Sequence, residues 1–217
     1  GGGGAPLHRP GPRMTGSTVA IEALPHDAEF RALASLPQVQ VDLRYAGPHN
    51  LLGRDLYSPH DCAWLHAEAA MALDRASQAL AARQPELRLC VLDACRPQRV
   101  QEAFWAFVEG TPMQAYFAHP GPGSIHSFGM AVDITLVDAA GRELDMGTPF
   151  DDTSEHSHPA LEARWLAAGV LQPRQVQHRQ WLREAMAAAG WQGITTEWWH
   201  YDFGDRTEVR QRYRRII

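Results

Sequence analysis

The 217-residue chain has no lysine; its 20 basic residues other than histidine are all arginine. Schiff-base and pyridoxal chemistry need a lysine amine, and a Walker-type phosphate loop needs its lysine, so both are excluded. A Gly-x-Ser-x-Gly nucleophile elbow is also missing. Cysteine is scarce. Cys62, Cys90 and Cys95 form neither an even disulfide set nor a Cys-x-x-Cys pair, so thiolate ligation of a metal is not expected. Cys90, within the apolar run 87–92, reads as a small core residue. No apolar run is long enough to span a bilayer. A basic face for nucleic acid is lacking too, since the net charge is −5 and the acidic residues are scattered. The exception is Arg210, Arg212, Arg214 and Arg215, which reads as a solvated end. The chemistry that remains must rest on metal, carboxylate, imidazole and guanidinium.

The apolar (45%) and charged (21%) fractions are those of an ordinary globular protein, and the length suits one sizeable core. Residues 1–18 read as a flexible leader or tag remnant and 19–217 as one domain. The odd thiol count and the lack of an apolar signal segment point to the cytoplasm. A periplasmic location stays open if a native signal was removed. The sequence carries no signature of oligomeric state.

Strands are expected at 39–45, 87–94, 131–137 and 195–203, from β-branched or aromatic composition and alternation. Ser58 as N-cap and Pro59 at the first helical position predict a long helix to about Arg83. Pro97 opens a second helix with Val100, Ala103, Phe104 and Phe107 on its buried face. A third runs from about Arg174 to Ala189, stopped by Gly190. Helices and strands mix without a βαβ alternation, which favours α+β.

Two blocks carry the chemistry: Ser124-Ile-His126-Ser-Phe-Gly129-Met-Ala-Val-Asp133, and Glu197-Trp-Trp-His200. A catalytic zinc ion needs three N or O ligands and an open position for a water whose pKa falls to roughly 7. His126, Asp133 and His200 supply three such ligands, and Glu197 is a spare carboxylate for the water's proton. Asp133 sits near the start of a strand, and Gly129 lets the preceding segment turn so that His126 returns beside it. Strict alternation would put Glu197 and His200 on opposite faces, so their strand must bulge or bend. Arg96, at a strand-to-helix junction before Pro97, either faces a cleft and stabilises an oxyanion, an effect of roughly 3 kcal/mol per donor, or forms a structural ion pair with Asp93. Each block alone has an ordinary explanation; together they argue for a site.

With these residues the chain resembles the zinc D-alanyl-D-alanine dipeptidases of the vancomycin-resistance type, from about Val39 to Tyr201. The likeness rests on the Ser-x-His-x-x-Gly-x-Ala-x-Asp and Glu-x-Trp-His blocks, on Arg44-Tyr45-Ala46 with Asn50, on Tyr57, on Arg96-Pro97, and on Met146-Gly-Thr-Pro-Phe-Asp151. It implies one compact domain of the hedgehog/DD-peptidase type, with a central, mainly antiparallel sheet flanked by helices. It further implies one Zn2+ per chain held by His126, Asp133 and His200, with Glu197 as general base and acid and Arg96 polarising the scissile carbonyl. The reaction implied is hydrolysis of the small dipeptide D-Ala-D-Ala to two D-alanines by water activated at the metal. Asp151 would take the substrate ammonium with Tyr45 assisting, while Ser124 and Tyr57 would stand nearer its carboxylate. The same blocks occur in relatives that cut longer peptidoglycan stems and in non-catalytic zinc-binding modules. Ala94-Cys95 replaces the family's usual glycine and tyrosine, a departure in the pocket wall beside Arg96.

Overall fold

The computed structural model describes residues 17–217. In chain order the elements are β1 (Thr18–Val19), β2 (Phe30–Ala32), β3 (Val39–Val41), β4 (Trp64–His66), α1 (Ala67–Arg83), β5 (Arg88–Asp93), α2 (Gln98–Val108), β6 (Ala131–Val137), α3 (Glu162–Ala167), α4 (Pro173–Ala188), β7 (Gln192–Gly193), β8 (His200–Asp202), α5 (Arg206–Arg212) and β9 (Arg215–Ile216). The leader expected over 1–18 lies outside the described residues except for Ser17 and Thr18, and Thr18 already pairs with Arg215.

The α+β class expected from the sequence is observed. The main sheet has the order β3-β5-β6-β8-β7 and is mixed. Three of its pairings are antiparallel, but β3 and β5 run parallel. Parallel neighbours need a crossover connection, and α1 lies within the connection between them. Central β6 is buried along its whole length, which its Val, Ile and Leu content anticipates.

Helix α1 is alanine-rich and buries Ala69, Ala72, Leu73, Ala76 and Leu80 in the core shared with Leu182, Ala185 and Met186 of α4. Small side chains let the two helices approach closely. It does not start at Ser58. Asp55 Oδ1 accepts from the backbone N–H groups of Tyr57 and Ser58, each at 2.9 Å, so this segment forms a turn. Capping falls to His66, whose Nδ1 accepts from Glu68 N.

Helix α2 begins after Pro97 as expected, but its buried residues are Val100, Gln101, Phe104 and Val108. Phe107 is 51% exposed. The buried face is rotated because Gln101 is drawn inward: its Oε1 accepts from Arg96 Nη1 at 3.0 Å and its Nε2 donates to Ala118 O at 2.8 Å. The arginine-rich end is not merely solvated. Arg210 donates to Gly123 O, Arg215 to Gly121 O and Pro122 O, and Arg214 pairs with Asp27 and Glu29. The carbonyl-rich loop before the first histidine block therefore consumes much of that charge.

Gly129 closes the 3-10 turn Ile125–Phe128 in the left-handed region, φ 70°. A Cβ there would stand 2.8 Å from His66 N, whose N–H donates to Gly129 O at 2.9 Å. Gly129→Ala should therefore destabilise the fold by about 1–3 kcal/mol, read as a lower urea midpoint at unchanged slope.

Candidate metal centre and substrate cavity

Three strands place three acidic or imidazole side chains in one row. Asp133 of β6 is the register partner of Asp93 on β5 and of His200 on β8. The β5–β6 register shifts between Val91 and Asp93, a local irregularity that re-aims the end of the strand. His126 reaches the row from the preceding 3-10 turn, where Ser124 Oγ caps its backbone N–H at 3.3 Å.

Asp133 Oδ1 lies 3.1 Å from His126 Nε2 and 3.0 Å from His200 Nδ1, and one ligand atom from each of the three residues lies within 4.8 Å of the others. The outer nitrogens fix the tautomers. His126 Nδ1 faces the Ala94 carbonyl at 2.8 Å and His200 Nε2 faces Asp202 Oδ1 at 2.7 Å. Both partners only accept, so both outer nitrogens donate. The inner nitrogens then turn lone pairs toward a carboxylate oxygen, an arrangement that calls for a cation between them. A proton is one solution: although burial opposes charge on His200, hydrogen bonds to Asp133 and Asp202 push its pKa up to about 10. A divalent ion is the other, and two nitrogens plus one oxygen, each His backed by a fixed outer acceptor, suit zinc. Asp133 is suited to ligation because His126 and His200 outweigh its burial and hold it well below the usual carboxylate range.

These residues open on a cavity of about 250 Å3 that Arg96, Asp151 and Glu197 also line, smaller than the roughly 300–1,000 Å3 of ordinary ligand pockets. Glu197 does not lie in the expected strand. Residues 195–199 are a turn and β8 starts only at His200, so no bulge is needed to bring both side chains to one cavity. The turn is anchored by Ile134 N donating to Trp199 O at 2.9 Å and by the Trp198 indole donating to Thr148 Oγ1 at 2.9 Å. Burial lifts the Glu197 pKa to about 8; Asp133 and Asp151 add to the rise, while His200 and Arg96 oppose it. A carboxyl poised there can both take and return a proton near neutrality.

Arg96 combines both of its sequence readings. Its Nε and Nη2 donate to Asp93 Oδ2 at 3.0 and 2.7 Å, and the same guanidinium lines the cavity, with Nη2 3.6 Å from Asp133 Oδ2. Tyr45 and Ser124 also line the cavity, and the Tyr45 hydroxyl donates to Asp151. Tyr57 is not brought to the wall. It is fully buried and donates to Asp93, behind Arg96. Asp151 adopts φ 65°, a strained conformation of the kind found at functional sites. Its pKa is raised to about 7 by burial and Asp133, against the Tyr45 hydrogen bond and Arg96.

Sequence reasoning missed Asp202 and the full role of Asp93. Asp202 lies two residues beyond His200, the spacing that puts strand residues on one face, and that signal was available.

A donor set of two imidazoles and a carboxylate, beside a proton-transferring carboxyl in a small cavity, is an arrangement used by hydrolytic metalloenzymes. The chain belongs to the D-ala-D-ala dipeptidase family, peptidase M15, whose family model matches residues 27–217, and it is a peptidase. It is similar to the D-alanyl-D-alanine dipeptidase of Escherichia coli (strain K12), 34% identical over 166 residues, 76% of this chain and 79% of that one. The Synechocystis sp. (strain ATCC 27184 / PCC 6803 / Kazusa) protein of the same name is 27% identical over 73% of this chain and 81% of its own. The Enterococcus faecium one is 32% identical over 52% and 53%.

Asp202→Ala frees His200 Nε2 and should weaken divalent-metal binding by about 10–100-fold, measurable by chelator competition. Asp151 has a pKa above its ordinary 3.8, at about 7, so the metal-free fold loses stability as pH rises through that window. Asp151→Asn should remove that loss, and urea midpoints from pH 4 to 8 should show the variant gaining on the wild type.

Proposed function

We propose that residues 19–217 form one zinc dipeptidase domain of the hedgehog/DD-peptidase type that hydrolyses free D-alanyl-D-alanine to two D-alanines. The observation that carries this reading is the convergence of His126, Asp133 and His200 on one point in a cavity that also holds Glu197, Arg96 and Asp151. His126, Asp133 and His200 hold the ion. When bound, zinc supplies a Lewis acid at the scissile carbonyl and acidifies water to a pKa of roughly 7.

The chain's own groups do the rest. Glu197 takes a proton from the attacking water and passes it to the leaving amine, so that one water is added across the peptide bond. Arg96, locked by Asp93 and Gln101, donates to the oxygen on which negative charge develops. Its orientation is set before substrate arrives, which is what electrostatic stabilisation requires. Asp151, oriented by Tyr45, accepts the substrate ammonium, since a cation in a half-buried cavity needs an anionic partner. Ser124 keeps a hydroxyl hydrogen for the substrate because its oxygen accepts from His126 N. Tyr57 acts through Asp93, as a positioning residue. The free thiols Cys62, Cys90 and Cys95, all buried, support a reducing, cytoplasmic setting. No helix among the described residues is long and apolar enough to cross a membrane.

Amine release should be measured on D-Ala-D-Ala, L-Ala-L-Ala, N-blocked dipeptides and a pentapeptide stem, with metal-stripped and zinc-restored protein. Zinc-restored protein should cut the free dipeptide and spare the blocked one; a preference for the stem would overturn the reading. Glu197→Ala should retain zinc and lose about 10²–10⁴ in turnover, whereas His200→Ala should lose the zinc itself, by elemental analysis.

A further inference from the structure

A free dipeptide carries a carboxylate as well as an ammonium, and the wall of the cavity formed by α5 offers a cation to meet it. Arg206 and Arg210 both line the cavity. Arg206 is paired: its Nε donates to Asp202 Oδ2 at 2.7 Å, and Asp202 in turn accepts from His200. Arg210 has no such partner among the described residues. Its Nε and Nη2 donate to the Gly123 carbonyl at 3.2 and 2.8 Å. Among the described residues no carboxylate pairs with it, and its Nη1 finds no acceptor. Burial and the neighbouring charges of Arg206 and Arg215 lower its pKa, with Asp202 opposing. A half-buried guanidinium crowded by like charge and lacking an anion is costly, and a substrate anion would relieve that cost.

Position adds to the case. Gly123 precedes Ser124, so the bond to Arg210 ties the guanidinium to the segment that carries His126. The groups acting most on Asp151 are Asp133, Tyr45, Arg96 and Asp93, whereas those acting on Arg210 are Arg206, Asp202 and Arg215. Asp151 and Arg210 thus line one cavity with different neighbours, Tyr45 beside Asp151 and the Gly123 carbonyl beside Arg210.

We infer that Arg210, supported by Arg206 and the Ser124 hydroxyl, receives the C-terminal carboxylate of the substrate. With Asp151 at the other end, this limits the enzyme to short peptides whose two termini are both free. The inference rests on the dipeptidase reading above and adds the anionic half of the recognition.

The zinc-loaded protein is assayed on D-Ala-D-Ala and on its C-terminal amide, which lacks the anion. Arg210→Gln should raise KM for the acid about 10–100-fold, the loss expected for one charge-assisted contact, with the effect falling on KM rather than kcat. KM for the amide should hardly move, and Arg210→Lys should recover part of the loss. An equal rise for acid and amide, or an unchanged KM for the acid, overturns the assignment. Should the Gln variant not fold, the wild type alone decides: its KM must be at least about tenfold lower for the acid than for the amide, and parity refutes the role. Failure of wild-type protein to cut D-Ala-D-Ala at all would instead sink the dipeptidase reading.

Discussion

One carboxylate oxygen organises this molecule. Asp133 Oδ1 sits about 3 Å from two imidazole nitrogens whose opposite nitrogens are committed as donors. Two lone pairs aimed at a third demand positive charge, and burial keeps water from supplying the screening. The surrounding architecture maintains this arrangement. The β5–β6–β8 register brings Asp93, Asp133 and His200 into line. The turn closed by Gly129 returns His126 to the row, and Asp93 sends the effect one step further by holding Arg96.

Local patterns in the sequence resolved much of this. The alternating β-branched run at 131–137 folds as the strand it predicts, Gly129 takes the left-handed turn, and Gly190 follows the helix it was expected to stop. The two histidine blocks, 74 residues apart at His126 and His200, lie together. What could not be read was what depends on partners distant in sequence. Strand register across β5, β6 and β8 decides that Asp93 stands beside Asp133, and no local signal encodes register. The buried face of α2 was misjudged because Gln101, a polar residue, is pulled inside by Arg96 and by the Ala118 carbonyl. The start of α1 was misplaced because Asp55, not a helix, takes the N–H groups of the Ser58 region. Composition alone suggested a strand at 195–199, but backbone and indole hydrogen bonds to Ile134 and Thr148 hold it as a turn.

The absence of lysine gains meaning beside this site. Every cation at the cavity is a guanidinium or an imidazole, and guanidinium can be gripped at two points at once. Arg96 shows the advantage: its fork engages Asp93 through two nitrogens and Gln101 through the third. A flexible ammonium would offer charge without that fixed direction. The same rigidity holds at α5, where Arg210 grips a single carbonyl through two donors.

Strand β9 lies parallel to β1, the first strand described, and the arginines around it clasp the loop at 120–123 that leads into Ser124 and His126. His200, one of the three side chains of the candidate metal-binding row, and one wall of the cavity thus come from residues 197–216. During synthesis on the ribosome, a nascent chain lacking that stretch holds only His126 and Asp133 of the row. Such a chain also lacks Glu197, so the row and the carboxyl beside it are completed only when the two distant histidine blocks meet.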